Sequence, residues 1–316
     1  MRNRIIFLIT LTFLLVGCKD KKAEQFKALP FPDTAPPAMM ENPQDRAEYM
    51  ALHWWDGITD ASRSYPCDTS LVSGVRINEV EQKFANWSDV LNRIELAYAR
   101  KSVVRLYERA AACERKDTSS NVFEVFTDLV IKYLYDPNSP MRNEDHYSAY
   151  SECLSKSDLV EPVMRDKYAY ETQLSALNRI GTHASDFRFM DKSGKSYTLY
   201  SIKSDLVLLF FSNPGCKACK DIIDVLNNDP KIAGLIESGI MKVLNIYIDE
   251  DLEAWRSYMP IYPDTWYNGF DPDLIIRGES LYNVRAIPSL YLLDKDKKVI
   301  MKDAPEPRLF DYLSNL

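Results

Sequence analysis

Residues 206–219 read Leu-Val-Leu-Leu-Phe-Phe-Ser-Asn-Pro-Gly-Cys-Lys-Ala-Cys, and the way this run divides decides the fold. Leu206 to Phe211 is an unbroken apolar run of strand length, the pattern of a strand covered on both faces of its sheet. Ser212 to Gly215 breaks the run as a turn. Cys219, Ile222, Ile223 and Leu226 then recur at helical spacing. Cys216 therefore stands where a strand ends and a helix begins. Unpaired backbone N–H groups and the helix dipole stabilise a thiolate there. Cys219 lies one turn on, within reach of a disulfide with Cys216. The chemistry open to such a pair is thiol–disulfide exchange.

A Cys-x-x-Cys pair also serves in zinc sites and in inert structural disulfides. A zinc site needs about four ligands, and His53, His146 and His183 form no pair with one another or with a second Cys-x-x-Cys, so no metal is expected. The redox reading gains its weight downstream. In Leu281-Tyr-Asn-Val-Arg-Ala-Ile-Pro-Ser-Leu-Tyr-Leu-Leu-Asp294, Pro288 heads an apolar strand. A turn over 294–298 and a second strand over 299–301 follow. Proline cannot donate to a sheet ladder, so it belongs at a strand's first residue, and a turn proline is a candidate for the cis form.

Taken together, the strand–Cys-x-x-Cys–helix unit, the strand Val243 to Ile248 and the Ile287-Pro288 element resemble the thioredoxin fold in its extracytoplasmic, redoxin-type form. The resemblance spans about 183–316. It implies an α/β domain, assigned to 182–316, with a central mixed sheet flanked by helices. It further implies Cys216 as nucleophile, Cys219 as the resolving thiol, and Ile287 with Pro288 as a cis-proline loop that docks substrate. Lys217 and Lys220 add positive charge that would favour the thiolate. The sequence departs from the family at Gly215, where a tryptophan is usual, and at Ala218, where a proline is common. Phe210 replaces the acid many thioredoxins bury six positions before the first cysteine, which leaves the proton acceptor for Cys219 unassigned.

The 316 residues, 46% hydrophobic and 27% charged, suit two globular domains. A net charge of −7, with no basic run beyond Lys19 to Lys22, gives nucleic-acid binding no electrostatic support. Residues 1–17 read as a signal segment. Arg2 and Arg4 precede the apolar stretch Ile5 to Val16, which is too short to span a bilayer as a helix. Leu15-Val16-Gly17-Cys18 resembles the cleavage box of bacterial lipoproteins, which implies lipidation of Cys18 and a membrane anchor. Lys19 in place of an aspartate favours, by that family's habit, the outer membrane. Export would place the protein where disulfides persist. Cys67, Cys113 and Cys153 remain, and an odd number leaves their pairing open.

Residues 18–42, with Pro30, Pro32, Pro36 and Pro37 and no periodicity, read as a lipidated tether. From 43 to 181 the pattern is that of an all-α domain, with Asn42-Pro43 as cap and first-turn proline. Val80, Phe84, Trp87 and Leu91 form one helical stripe, and Leu96, Ala99, Val103, Leu106, Ala110 and Cys113 a longer one. Val122, Phe126, Leu129 and Tyr133 form a third, and Val163, Tyr170, Leu174 and Leu177 a fourth. Cys113 falls on a core face and is expected to be buried. His53-Trp54-Trp55-Asp56 could line a pocket, but packed aromatics with a capping aspartate are the more economical reading. The stretch from Tyr49 to Trp87 resembles an uncharacterised helical domain that precedes thioredoxin domains in bacterial lipoproteins. After Ala184, segments 186–190 and 196–200 read as a hairpin. Helices are expected at 231–238, around 252–258 and over 307–316, with 262–273 as an aromatic loop.

The function expected is a thiol–disulfide oxidoreductase of the cell envelope without a cofactor, reducing protein or small disulfides and supplied by a membrane electron donor. The competing reading is a thioredoxin-fold binding module with a helical partner-binding domain and little turnover. Peroxidase activity is disfavoured, since Asn213 stands where that family's Thr-x-x-Cys context has threonine.

Overall fold

A computed structural model describes residues 27–65 and 68–316, so Cys18 and Cys67 lie outside the described residues. The amino-terminal half is helical, as its stripes predict. Helix α1, Pro43–His53, opens where Asn42 accepts hydrogen bonds from the amides of Gln44 and Asp45. A minimal hairpin follows, β1 Leu71–Val72 and β2 Val75–Arg76, turned by Ser73 and Gly74 at φ 47° and 78°. Next come α2 (Ile77–Leu91), α3 (Leu96–Lys116) and α4 (Val122–Val130), which runs on into a π-helical turn, Ile131–Tyr135. Helices α5 (Glu144–Ser155) and α6 (Pro162–Ser175) complete this half.

Three of the expected stripes point inward, with Val80, Phe84, Trp87, Val103, Phe126 and Cys113 all buried in one core, whereas on the fourth Val163 and Tyr170 are exposed. The expectation of a tether over 18–42 needs correcting at its carboxyl end. Leu29 forms a β-bridge with Val75, and the buried Phe31 meets Trp55 edge-on at 5.8 Å. A large aromatic ring this close to an apolar core is worth more buried than free.

The carboxyl-terminal half is an α/β domain. Its elements are β3 (Arg188–Asp191), β4 (Ser196–Thr198), β5 (Leu206–Phe211), α7 (Lys217–Asn228), α8 (Pro230–Glu237) and β6 (Met241–Tyr247). They continue with α9 (Leu252–Tyr258), β7 (Tyr267–Phe270), α10 (Ile275–Gly278), β8 (Ser289–Asp294), β9 (Val299–Met301) and α11 (Glu306–Ser314). The mixed sheet runs β4-β3-β7-β6-β5-β8-β9. Strands β5, β6 and β7 are parallel, and β8 lies antiparallel to β5.

Strand β5 sits inside the sheet and is covered on both sides, as its unbroken apolar run requires. Leu208 and Phe210 face one core cluster, while Val207, Leu209 and Phe211 face the other. The aromatic loop expected over 262–273 contains β7, a strand the pattern did not reveal. It joins the parallel core to the β3–β4 hairpin. Gly269 is required there, because a Cβ would stand 2.6 Å from the Phe189 ring and 2.9 Å from the Met190 carbonyl.

Candidate functional site: a disulfide at a helix amino terminus

Cys216 is the N-cap of α7, and its sulfur accepts a hydrogen bond from the Cys219 amide at 3.1 Å. Cys216 and Cys219 are joined as a disulfide, with Cα atoms 5.3 Å apart. The two sulfurs differ in access: Cys216 is half-buried, whereas Cys219 is 1% exposed inside the apolar cluster beneath the helix. In the reduced pair, the outer sulfur would meet a substrate and the helix start would stabilise its charge. The inner one could reach only its neighbour. Gly215 is explained by the turn that delivers Cys216, because its φ of 73° would strain a tryptophan.

The Ile287–Pro288 peptide is cis. Phe211, the last residue of β5, pairs with Ser289, the first of β8, so the cis-proline lies beside the chain leading to Cys216. Ile287 packs against the same core cluster as Cys216. The structure thus gathers Cys216, Cys219, Ile287 and Pro288 at one end of the sheet.

Lys217 and Lys220 each pair with an acid along the helix face. Lys217 donates to Asp221 at 2.7 Å and Lys220 to Asp224 at 2.6 Å, in exposed i,i+4 pairs. Each charge is engaged by an acid one turn on and screened by solvent, which leaves the helix amides as the direct support for a thiolate. Phe210 is fully buried, so the acid familiar at that place has no substitute there. Beneath the parallel strands lies a neutral polar string instead. Ser212 donates to Asn245 at 2.5 Å, Asn245 to Asn268 at 3.1 Å, and Asn268 to the Pro263 carbonyl at 2.8 Å.

Sequence reasoning missed a second group near the site. Asn213 donates to Asp249 at 2.8 Å, and Asp249 also pairs with Arg277, which ties the turn before Cys216 to the end of β6 and to α10. The remaining described cysteines lack the site's advantages. Burial pushes the Cys153 thiol up to about 11, with the Glu152 and Glu108 charges adding to it, and burial also raises Cys113.

The His53-Trp54-Trp55-Asp56 motif is a packing unit. Trp55 is buried against Trp87 and Phe126 at 5.8 and 4.8 Å. Burial pushes the Asp56 carboxyl up, but hydrogen bonds from Arg105 and His53 and the Arg109 charge outweigh it and hold the group below its usual range. Burial likewise drives His146 down to about 3. Among the described residues no group of three or more His, Cys, Asp or Glu is placed to hold a metal ion.

Residues 204–299 match the thioredoxin-like family, and residues 17–178 match a domain of unknown function, DUF5106. The chain is 30% identical over 142 residues to the thiol-disulfide oxidoreductase ResA of Bacillus cereus, covering 44% of this chain and 79% of that one. It is similar to the crystal structure of a thioredoxin-like protein from Bacteroides caccae, with 36% identity and a TM-score of 0.75. That likeness covers 89% of this chain and 98% of the other, so both halves take part. The carboxyl-terminal domain of an uncharacterized Bacteroides fragilis protein is 43% identical, over 43% of this chain and 98% of that one, with a TM-score of 0.42.

Proposed function

The chain belongs to the thioredoxin-like proteins, with a DUF5106 domain ahead of the redox domain, and we propose that it is a thiol–disulfide oxidoreductase reducing protein disulfides in the bacterial cell envelope. One observation carries the reading: a half-buried Cys216 capping α7, bonded to a Cys219 that is 1% exposed.

The Cys216 thiolate attacks one sulfur of the substrate disulfide. A Cys216–substrate bond forms, and the other substrate sulfur leaves as a thiolate and takes up a proton. Cys219, deprotonated, then attacks the Cys216 sulfur, closing the internal disulfide and releasing the second substrate thiol. Two electrons pass from the dithiol to the substrate. Ile287 and Pro288 would dock the substrate backbone, since among the described residues no backbone hydrogen bond claims Ala286 or Ile287. The isoleucine before the cis-proline resembles that of reducing thioredoxins, whereas Ala218 lacks the proline associated with low potentials; of the two directions we favour reduction, with a membrane electron donor renewing the dithiol. The test is catalysis of insulin reduction by dithiothreitol. A protein that binds insulin without accelerating its reduction would instead be a thioredoxin-fold binding module.

The location rests on the leader segment and the box ending in Cys18. No helix among the described residues is long and apolar enough to cross a membrane. Acyl chains on Cys18 would supply an anchor, at about 0.8 kcal/mol per buried methylene. The expected result is that the protein partitions into detergent and takes up labelled fatty acid, and that Cys18→Ala loses both. Unchanged membrane retention in that variant would contradict the anchor.

A further inference from the structure

The segment that carries the cis-proline has no regular structure from Leu281 to Pro288, and among the described residues no backbone hydrogen bond involves Arg285, Ala286 or Ile287. Side chains set its course, and two of them reach the helical domain. Asn283 donates to the Glu144 carboxylate, and Arg285 lies between two acids. Its Nε is 2.9 Å from Glu144 Oε1, a contact not in line for a hydrogen bond, and its Nη2 is 2.6 Å from Asp303 Oδ2. The guanidinium also stands 4.4 Å over the Tyr135 ring. On the other flank of the cis bond, Ser289 donates to the same Asp303 at 3.0 Å.

The helical side of this seam is held firmly. Glu144 opens α5, its side chain is 1% exposed, and Lys302 Nζ lies 2.8 Å from its second oxygen. Burial raises the Glu144 carboxyl from its ordinary value, and the charges of Lys302 and Arg285 oppose that rise. Lys302 also donates to the Ser175 carbonyl at 2.8 Å and to that of Leu177. Arg142 donates to the carbonyls of Asp303 and Ala304, each at 3.1 Å. Desolvation cancels much of the Coulombic gain of a buried ion cluster, so such a cluster adds little stability over an apolar seam. What it adds is a fixed geometry, and here the part whose geometry it fixes is the cis-proline segment.

We propose that Glu144 is a positioning residue for substrate docking: through Asn283 and Arg285 the helical domain holds the cis-proline segment in the form that binds an extended protein substrate. This rests on the reading of Ile287 and Pro288 as the docking edge. A small disulfide reaches Cys216 without using that edge, so the two kinds of substrate separate docking from chemistry.

The experiment measures kcat and KM for insulin, and the rate with cystamine, in the full chain and three variants. Glu144→Gln is expected to raise KM for insulin about tenfold, the loss of roughly one buried charged contact, with kcat and the cystamine rate unchanged. Asn283→Ala removes one neutral partner of Glu144 and should shift KM the same way by about threefold, which keeps the test open if Glu144→Gln does not fold. Pro288→Ala reports on the docking edge by itself. A raised insulin KM in Pro288→Ala, with unchanged KM in Glu144→Gln and Asn283→Ala, would overturn the coupling and leave the edge standing. An unchanged KM in Pro288→Ala would overturn the edge and the inference with it. Equal losses with insulin and cystamine in Glu144→Gln would place its effect on the thiol pair and so contradict a docking role.

Discussion

Cys216→Ser is expected to abolish catalysed insulin reduction, and Cys219→Ser is expected to capture substrates as stable mixed disulfides through Cys216. The asymmetry follows from access. Cys216 is the half-buried cap whose sulfur receives the Cys219 amide, and Cys219 is 1% exposed. Serine at 216 removes the reachable thiolate of the pair, because the pair's other sulfur is enclosed by apolar side chains. Serine at 219 leaves the attack intact and removes the group that resolves its product. A non-reducing gel of a periplasmic extract incubated with each variant reads the difference. Trapping by Cys216→Ser in place of Cys219→Ser would reverse the assignment.

The second large effect lies far from the cysteines. Trp55→Ala should destabilise the helical domain by about 3–5 kcal/mol, the usual cost of emptying a fully packed aromatic site. Trp55 is 3% exposed and touches Phe31, Phe84, Trp87 and Phe126, so the void would open at the meeting point of α2, α4 and the segment before α1. Denaturant unfolding should show this loss, while the rate at which iodoacetamide modifies Cys216 stays as in the parent. A stable Trp55→Ala protein with lost activity would mean that the His53–Asp56 motif serves a site and not a core.

Much of the redox half could be read from local chain. Leu206 to Phe211 announces a strand covered on both faces, and Cys216 with the stripe behind it announces a helix start. Pro288 at the head of an apolar run marks the cis turn. Strand β7 escaped because its four residues include Gly269 and the buried Asn268, whose amide is engaged by Asn245 and Pro263. Neither residue contributes to a period-2 apolar signal. Phe31 escaped because the prolines around it mask a single anchoring ring.

The ion pairs made by the lysines beside the cysteines are legible in the sequence. Asp221 and Asp224 stand four residues after Lys217 and Lys220, the spacing that pairs charges on one helix face. The Glu144 seam had no such signal. Asn283 and Glu144 are 139 residues apart, and nothing local to either says they meet. Contacts of that range belong to the tertiary fold, and buried acids and bases disclose their partners only there.

The most direct test of the account is the order in which thiols of the reduced protein react. Protein reduced with dithiothreitol, freed of it and pulsed with limiting iodoacetamide near neutral pH should carry label first on Cys216. Each unit by which the helix start lowers that thiol's pKa corresponds to about 1.4 kcal/mol of thiolate stabilisation. Cys153, pushed up to about 11, and the buried Cys113 should lag far behind. Peptide mass spectrometry showing label on Cys219 before Cys216 would contradict the account.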